Sequence, residues 1–205
     1  MIGTPQFIEN TTQEFLLFLD KVKREGIEDL KNYLLSSSFF TCPASQYYHA
    51  NYPGGLAWHS LNLTKIAIGL NKIYKTNIPE ESIIISGLCH DLCKIDNYKI
   101  EERWKKDEVN NKWIKYKTWG NNNLPQCQHG PQSALIAARY IKLKEIEEQA
   151  ICWHMGSFNQ SQQENRAMGN AIGKNKLILI IQQADNASST IFEDSFPADK
   201  IPGLN

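Results

Sequence analysis

The sequence predicts an all-α protein, a bundle of about six or seven helices carrying one small β-hairpin insertion. Three observations lead there. Apolar residues recur at helical spacing through 56–74, 80–88 and 176–189. Helix-start signals precede most such runs, and Gly, Pro, Ser and Asn cluster between them. Strand-like alternation is confined to one stretch, where Asn110-Asn111 separates Glu102–Val109 from Lys112–Thr118.

In chain order, Thr11-Thr12-Gln13-Glu14 precedes Phe15, Leu16, Phe18, Leu19 and Val22 in capping-box order, which predicts a helix capped near Thr11 and running to about Arg24. Gly26 breaks it, and Ile27 to Leu35 forms a second short helix before Ser36-Ser37-Ser38. Residues 39–55 are irregular and aromatic. The next helix, about Leu56 to Tyr74, carries Leu56, Leu63, Ile66, Ala67, Leu70 and Ile73 on a core face, and His59 shares their inward side. Pro79-Glu80-Glu81 starts a helix through Ile83, Ile84, Ile85 and Leu88 that ends at His90-Asp91.

Residues 97–123 place Trp104, Trp113 and Trp119 among lysines and glutamates, and are expected to form a polar hairpin insertion over the site. Such aromatic and basic strands equally suit base stacking or a plain surface hairpin. Gly130-Pro131-Gln132-Ser133 then opens a helix reaching about Leu143, with His129 just before it. Glu145 to Trp153 is another, closing on His154. Residues 157–175 read as a mobile Gln/Asn/Ser-rich loop. Lys176 to Ser189 is apolar nearly all round and therefore central, with Asp185 inside it. A carboxylate there is costly unless a metal or cation neutralises it. The tail, with Pro197 and Pro202, reads as loosely packed.

Composition sets the frame. With 205 residues, 41% of them hydrophobic, the chain suits one domain over 1–205 with a core that needs no staples. Its 22 basic and 22 acidic side chains cancel, which removes any global electrostatic argument for nucleic acid or an anionic membrane. No apolar run approaches the roughly 20 residues that span a bilayer, and the N-terminus has no signal pattern. Five scattered cysteines argue against a disulfide framework and fit a reducing compartment, so a cytoplasmic location is expected.

The chemistry-bearing residues form a series. His59 is followed after 31 residues by His90-Asp91, His129 follows Asp91 by 38, His154 comes 25 later and Asp185 another 31. Taken alone, His59 or the His90-Asp91 pair reads more readily as structural. Together, at helix ends or on inward faces, they are the donors of a metal site among packed helices. Lys94 follows Asp91 by three positions, so its ammonium stands where a metal-bound phosphate needs a cation. Cys89 and Cys93 flank the pair and Cys127 and Cys152 precede His129 and His154, which leaves a zinc–thiolate site as a further reading, although the spacings are not a finger's.

The ordered set resembles the HD-domain superfamily of metal-dependent phosphohydrolases, over about Tyr47 to Ser189. The carrying motifs are Gly54-Gly55-Leu56-Ala57-Trp58-His59-Ser60, Gly87-Leu88-Cys89-His90-Asp91-Leu92-Cys93-Lys94 and Ala184-Asp185-Asn186. The resemblance implies His59, His90, Asp91 and Asp185 around one ion, with His129 and His154 holding a second and Asp91 bridging, as in binuclear members. Cys93 stands where the family often has glycine. The histidine-rich donor set suits two divalent transition metals, Mn, Fe, Co, Ni or Zn, better than Mg. Two such ions would leave a site of about net +2, which attracts phosphate.

The function so implied is a metal-dependent phosphohydrolase or phosphodiesterase. Metal-activated hydroxide would attack a phosphoester of a nucleotide, a cyclic nucleotide or single-stranded nucleic acid, with Lys94 stabilising charge on phosphorus-bound oxygens and His49 facing the substrate. A solvated loop is the plainer reading of His49. Two alternatives share the resemblance: an HD-fold di-iron oxygenase, which uses a similar ligand set, and a non-catalytic nucleotide-binding module.

Overall fold

The computed structural model describes residues 1–124, 127–158 and 160–204. Among them are eight α-helices and one two-stranded antiparallel sheet. The order is α1 (Pro5–Leu19), α2 (Ile27–Ser36), α3 (Gly55–Tyr74), α4 (Glu80–Cys89), β1 (Tyr98–Asp107), β2 (Lys112–Asn121), α5 (His129–Ala137), α6 (Glu145–Cys152), α7 (Gln162–Lys174) and α8 (Lys176–Ala187). The chain is thus mostly helical, with the hairpin its departure from a purely α protein. None of the described helices is long and apolar enough to cross a membrane.

The centre of the bundle is α4, in which every residue from Ser82 to Cys89 is buried. It packs against α3, α6 and α8, and α3 also packs on α8. Leu63 and Ala67 of α3, Ile83 of α4, Ala150 of α6 and Leu177, Ile178 and Ile181 of α8 form one core. A second core joins α1 and α2 to the other side of α4 and to α5. A third gathers Ala44, Ala50, Tyr52, Trp119, Ile201 and Leu204, and so ties the hairpin base and the tail to the segment before α3. Trp119 donates its indole N–H to the Asn51 carbonyl there.

The hairpin pairs Tyr98 with Asn121 through Asp107 with Lys112, longer at its base than the alternation suggested and ending two residues earlier at the turn in its first strand. Asn111 takes the positive φ of 49° that the turn needs, and Asp107 accepts hydrogen bonds from the Val109 and Asn110 amides. Its far end is open, with Trp104 and Trp113 exposed.

Five expectations are corrected. Ile73, expected on the core face of α3, is exposed in the helix's last turn, beyond the stretch that packs on α4 and α8. The first helix is capped by Thr4, whose hydroxyl accepts from the Phe7 amide, with Pro5 in its first turn, and it ends at Leu19; Thr11 lies buried inside it. The helix after His129 stops at Ala137 and includes His129 as its first residue. Within the loop expected over 157–175, residues 162–174 form α7, because Ser161 and Glu164 make a reciprocal capping box; Asn159 lies outside the described residues. The tail is anchored, since Ile201 and Leu204 are buried and Phe196 and Asn51 exchange hydrogen bonds.

Candidate metal centre

Helix ends deliver the site. α3 carries His59 in its second turn, buried with Leu56 and Leu63. α4 must lie close to α3 for its end to meet His59, and Gly87 permits this: a Cβ there would fall 2.3 Å from Thr64 Oγ1. The helix stops at Cys89 because Asp91 leaves helical conformation (φ −116°, ψ 22°), and Leu92–Lys94 continues as a 3-10 turn. In that turn residues three apart eclipse, which sets Lys94 beside Asp91. His154 follows α6, and Asp185 sits in the last turn of α8. Gly130 lets α5 approach the end of α6, where a Cβ would fall 2.2 Å from the Cys152 carbonyl oxygen.

Three imidazoles point their Nε2 atoms at one place. His90 Nδ1 lies 2.8 Å from the Gly87 carbonyl oxygen and His154 Nδ1 2.8 Å from that of Ile151. A carbonyl can only accept, so both Nδ1 atoms carry a proton, and in the neutral ring Nε2 is then the nitrogen with the free lone pair. His59 Nε2 stands 3.1 Å from His90 Nε2 and 3.2 Å from Asp185 Oδ1. Asp91 divides its oxygens, Oδ2 lying 3.2 Å from His90 Nε2 and 2.6 Å from Lys94 Nζ, Oδ1 3.6 Å from His154 Nε2. His59, His90 and Asp185 form one group of potential donors within 4.8 Å of one another, and His90, Asp91 and His154 a second.

This set fits divalent cations. Asp91 Oδ1 and His154 Nε2 are buried with no hydrogen-bond partner, although groups of that kind are costly when left unpaired. Lone pairs that converge at 3.1 Å repel unless a proton or metal lies between them. Burial lowers the proton affinity of His59, but Glu193 and Asp185 on its two sides push its pKa up to about 10, and the field that would retain that proton also holds a cation. Burial raises the Asp91 carboxyl, yet Lys94 and His90 hold it well below the usual range. Asp185 is likewise raised by burial but drawn down to about 2 by His59. Burial lowers His90, so its bare Nε2 is available as a ligand.

Comparison with known proteins gives one relative. The chain is 32% identical over 91 residues to the dihydroneopterin 2',3'-cyclic phosphate phosphodiesterase of Methanocaldococcus jannaschii, which covers 38% of this chain and 36% of that protein. The chain therefore spans about a third of the curated relative's length. No family model matches it. No solved structure matches it.

Of the residues singled out from sequence, His59, His90, Asp91, His154, Asp185 and Lys94 are brought together. His129 is not within the 4.8 Å groups. It is half-buried and lines a small cavity of about 120 Å³ with Cys152, Met155 and Phe158. Burial lowers its pKa, and the Asp91 carboxylate partly offsets that. His49 does not lie in a solvated loop; its Nδ1 is 2.7 Å from Glu193 Oε2 and its ring packs beside His59. No cysteine belongs to a donor group among the described residues, and burial pushes Cys89 and Cys93 up to about 12, which disfavours thiolate ligation.

Glu193 was not foreseen. Its only signal in the sequence is an acid that ends the uncharged run 186–192 after Asp185. A cavity of about 790 Å³ opens onto His154 and Asp185, lined also by Met155, Phe158, Gln183 and Asn186. Met155 and Phe158 line the His129 cavity too, so the two adjoin.

Proposed function

We propose that this chain is a metal-dependent phosphodiesterase of the HD-domain type acting on a small phosphoester. The observation that carries it is the convergence of three imidazole Nε2 atoms and two carboxylates on one buried place, with Lys94 beside them. His59, His90, Asp91 and Asp185 would hold one ion, and His154 with the other oxygen of Asp91 a second, with His129 as its remaining histidine. The donor mixture favours Mn, Fe, Co, Ni or Zn.

Divalent ions bound there supply Lewis acidity toward a phosphoryl oxygen and a nucleophilic water at neutral pH. Asp91 would offer one oxygen to each position. The Gly87 and Ile151 carbonyls hold His90 and His154 in the tautomer that ligates. Lys94, paired with Asp91 before substrate arrives, offers its ammonium to charge that grows on phosphoryl oxygens. Phe158 and Met155 pack on the organic part of the ester, and Gln183 and Asn186 give it hydrogen-bonding amides. The hairpin approaches the site at Tyr98, which lies in the field of Lys94 and Asp91.

A cavity of this volume suits a small molecule. None of its described lining residues is Lys or Arg, which disfavours a nucleic-acid backbone. The relative's name adds cyclic phosphodiesters to the substrates to be tried first, and favours hydrolysis over dioxygen chemistry. The test is turnover of bis(4-nitrophenyl) phosphate and a panel of 2',3'-cyclic phosphates by Mn- and Fe-loaded protein and by its Asp91→Ala variant. Hydrolysis lost in the variant supports the reading. No turnover with any loaded metal rejects it.

A further inference from the structure

The segment after α8 turns back into the centre. Ser188–Phe192 forms a π-helical turn, and Glu193 leaves it in extended conformation (φ −119°, ψ 132°) with its side chain wholly buried. Glu193 Oε1 and Oε2 lie 3.0 and 3.1 Å from His59 Nδ1. His49 Nδ1 is 2.7 Å from Oε2, and the Ser188 hydroxyl donates to Oε1. The backbone on the far side is tied down as well. The Ala50 amide donates to the Asp194 carbonyl at 2.8 Å, and Asn51 Nδ2 to that of Phe196 at 2.7 Å.

The three convergent histidines therefore differ at Nδ1. His90 and His154 donate to neutral main-chain carbonyls of their own helices. His59 faces a carboxylate that comes from 134 residues further along the chain. An anionic acceptor fixes the ring as a carbonyl does and also makes its other nitrogen a stronger base and ligand.

We infer that Glu193 is a positioning residue of the metal centre, accepting the Nδ1 proton of His59 so that Nε2 stays bare and aimed at the ion, while His49 and Ser188 hold the carboxylate in place. The inference rests on the proposed reading of the cluster as a metal centre. His49, His59 and Glu193 also present donors within 4.8 Å of one another, but an ion among them would take His59 Nδ1 and leave that ring bridging two cations, stripped of both its protons. The hydrogen bond asks for neither.

The test is a titration of the chelator-stripped full chain with Co(II), followed by its d–d absorption, for wild type, Glu193→Gln, Glu193→Asp and His90→Ala. Glu193→Gln keeps the shape and removes the charge, and should weaken cobalt binding roughly 10–100-fold, with Glu193→Asp recovering part of the loss. Unchanged affinity and spectrum in Glu193→Gln, where wild type binds and His90→Ala does not, overturn the role of Glu193 alone. Wild type that binds cobalt no better than His90→Ala overturns the metal centre and this inference with it. Histidine ¹⁵N spectra of the wild-type chain decide the matter even where a variant does not fold. On addition of Zn(II), His59 should keep its Nδ1 proton and shift at Nε2, and a shift at Nδ1 overturns the inference.

Discussion

Lys94 Nζ lies 2.6 Å from Oδ2 of Asp91, while the other oxygen of the same carboxylate faces His154 without a hydrogen bond. The ammonium therefore stands at the edge of the donor cluster and is no ligand itself. Lys94→Met should leave metal content near that of the wild type and lower kcat by roughly 10²–10³-fold, the usual effect of removing one charged group that meets the developing negative charge. Metal quantification beside steady-state assays checks this, and parallel loss of metal and activity would place Lys94 among the structural supports of Asp91 instead.

Removing metal should cost stability. The centre holds three buried or nearly buried carboxylates, Asp91, Asp185 and Glu193, against the single ammonium of Lys94, so without metal ions the balance falls to protons taken up by the histidines, His59 first. A ligand that binds only the folded chain stabilises it by about 2.7 kcal/mol at a hundred times its dissociation constant. Thermal melts before and after chelation should differ by several degrees, and Mn(II) or Zn(II) should restore the loss. Identical melts would count against the centre.

A second charged cluster tests the frame away from the site. Arg24 donates to both oxygens of Glu147 at 2.7 and 2.9 Å, with the Glu147 side chain fully buried, and to Glu81 at 3.0 Å. Arg24→Ala leaves a buried carboxylate without its cation and should cost about 3–5 kcal/mol in urea unfolding.

Glu81 gives the same cluster a pH dependence. Hydrogen bonds from Lys144 and Arg24 hold its carboxyl below the ordinary 4.5, against a smaller opposing effect of burial. A carboxyl lowered on folding stabilises above its unfolded value, and that stabilisation is lost as pH falls through the folded value. The stability gap between wild type and Glu81→Gln should therefore be widest near about pH 6 and narrow as pH drops below about 4. Urea midpoints across that range check it, and a constant gap would mean that Glu81 acts by packing.

Much of this centre was legible because its residues break the rules of the segments that carry them. Asp185 is a carboxylate in an apolar helix, His59 an inward histidine, and His90-Asp91 the end of a buried run. Glu193 broke no rule, since it follows the periodic part of α8 and reaches His59 only through the tertiary fold. α7 was missed for a related reason: Met168 is its one buried residue in the interior, so it lacks the apolar stripe that marks a helix, and only the Ser161–Glu164 box announces it. The start of α1 is less marked, because Gln6, Glu9 and Asn10 are exposed and only the half-buried Phe7 and Ile8 extend its apolar face ahead of Thr11.

Gly87 offers a test of how the centre depends on the distance between α3 and α4. Its carbonyl holds His90 in place, and its missing side chain lets Thr64 and Leu63 of α3 come close. In Gly87→Ala the new methyl would sit 2.3 Å from Thr64 Oγ1 and 3.1 Å from Leu63 Cδ2. Thr64 Oγ1 is itself committed to the Ser60 carbonyl at 2.7 Å, so it cannot turn away without losing that bond. The helices must then separate, at an overpacking cost of about 1–3 kcal/mol. Because His59 and His90 face each other across this seam, their Nε2 atoms should part, and metal affinity should fall together with stability. Thermal melts and cobalt titration of the variant, beside Gly69→Ala on the open face of α3 where a methyl meets nothing within 4 Å, separate this from a general effect of alanine. If Gly87→Ala melts like wild type and binds cobalt as tightly, the close approach of α3 and α4 is not what sets the geometry of the two histidines.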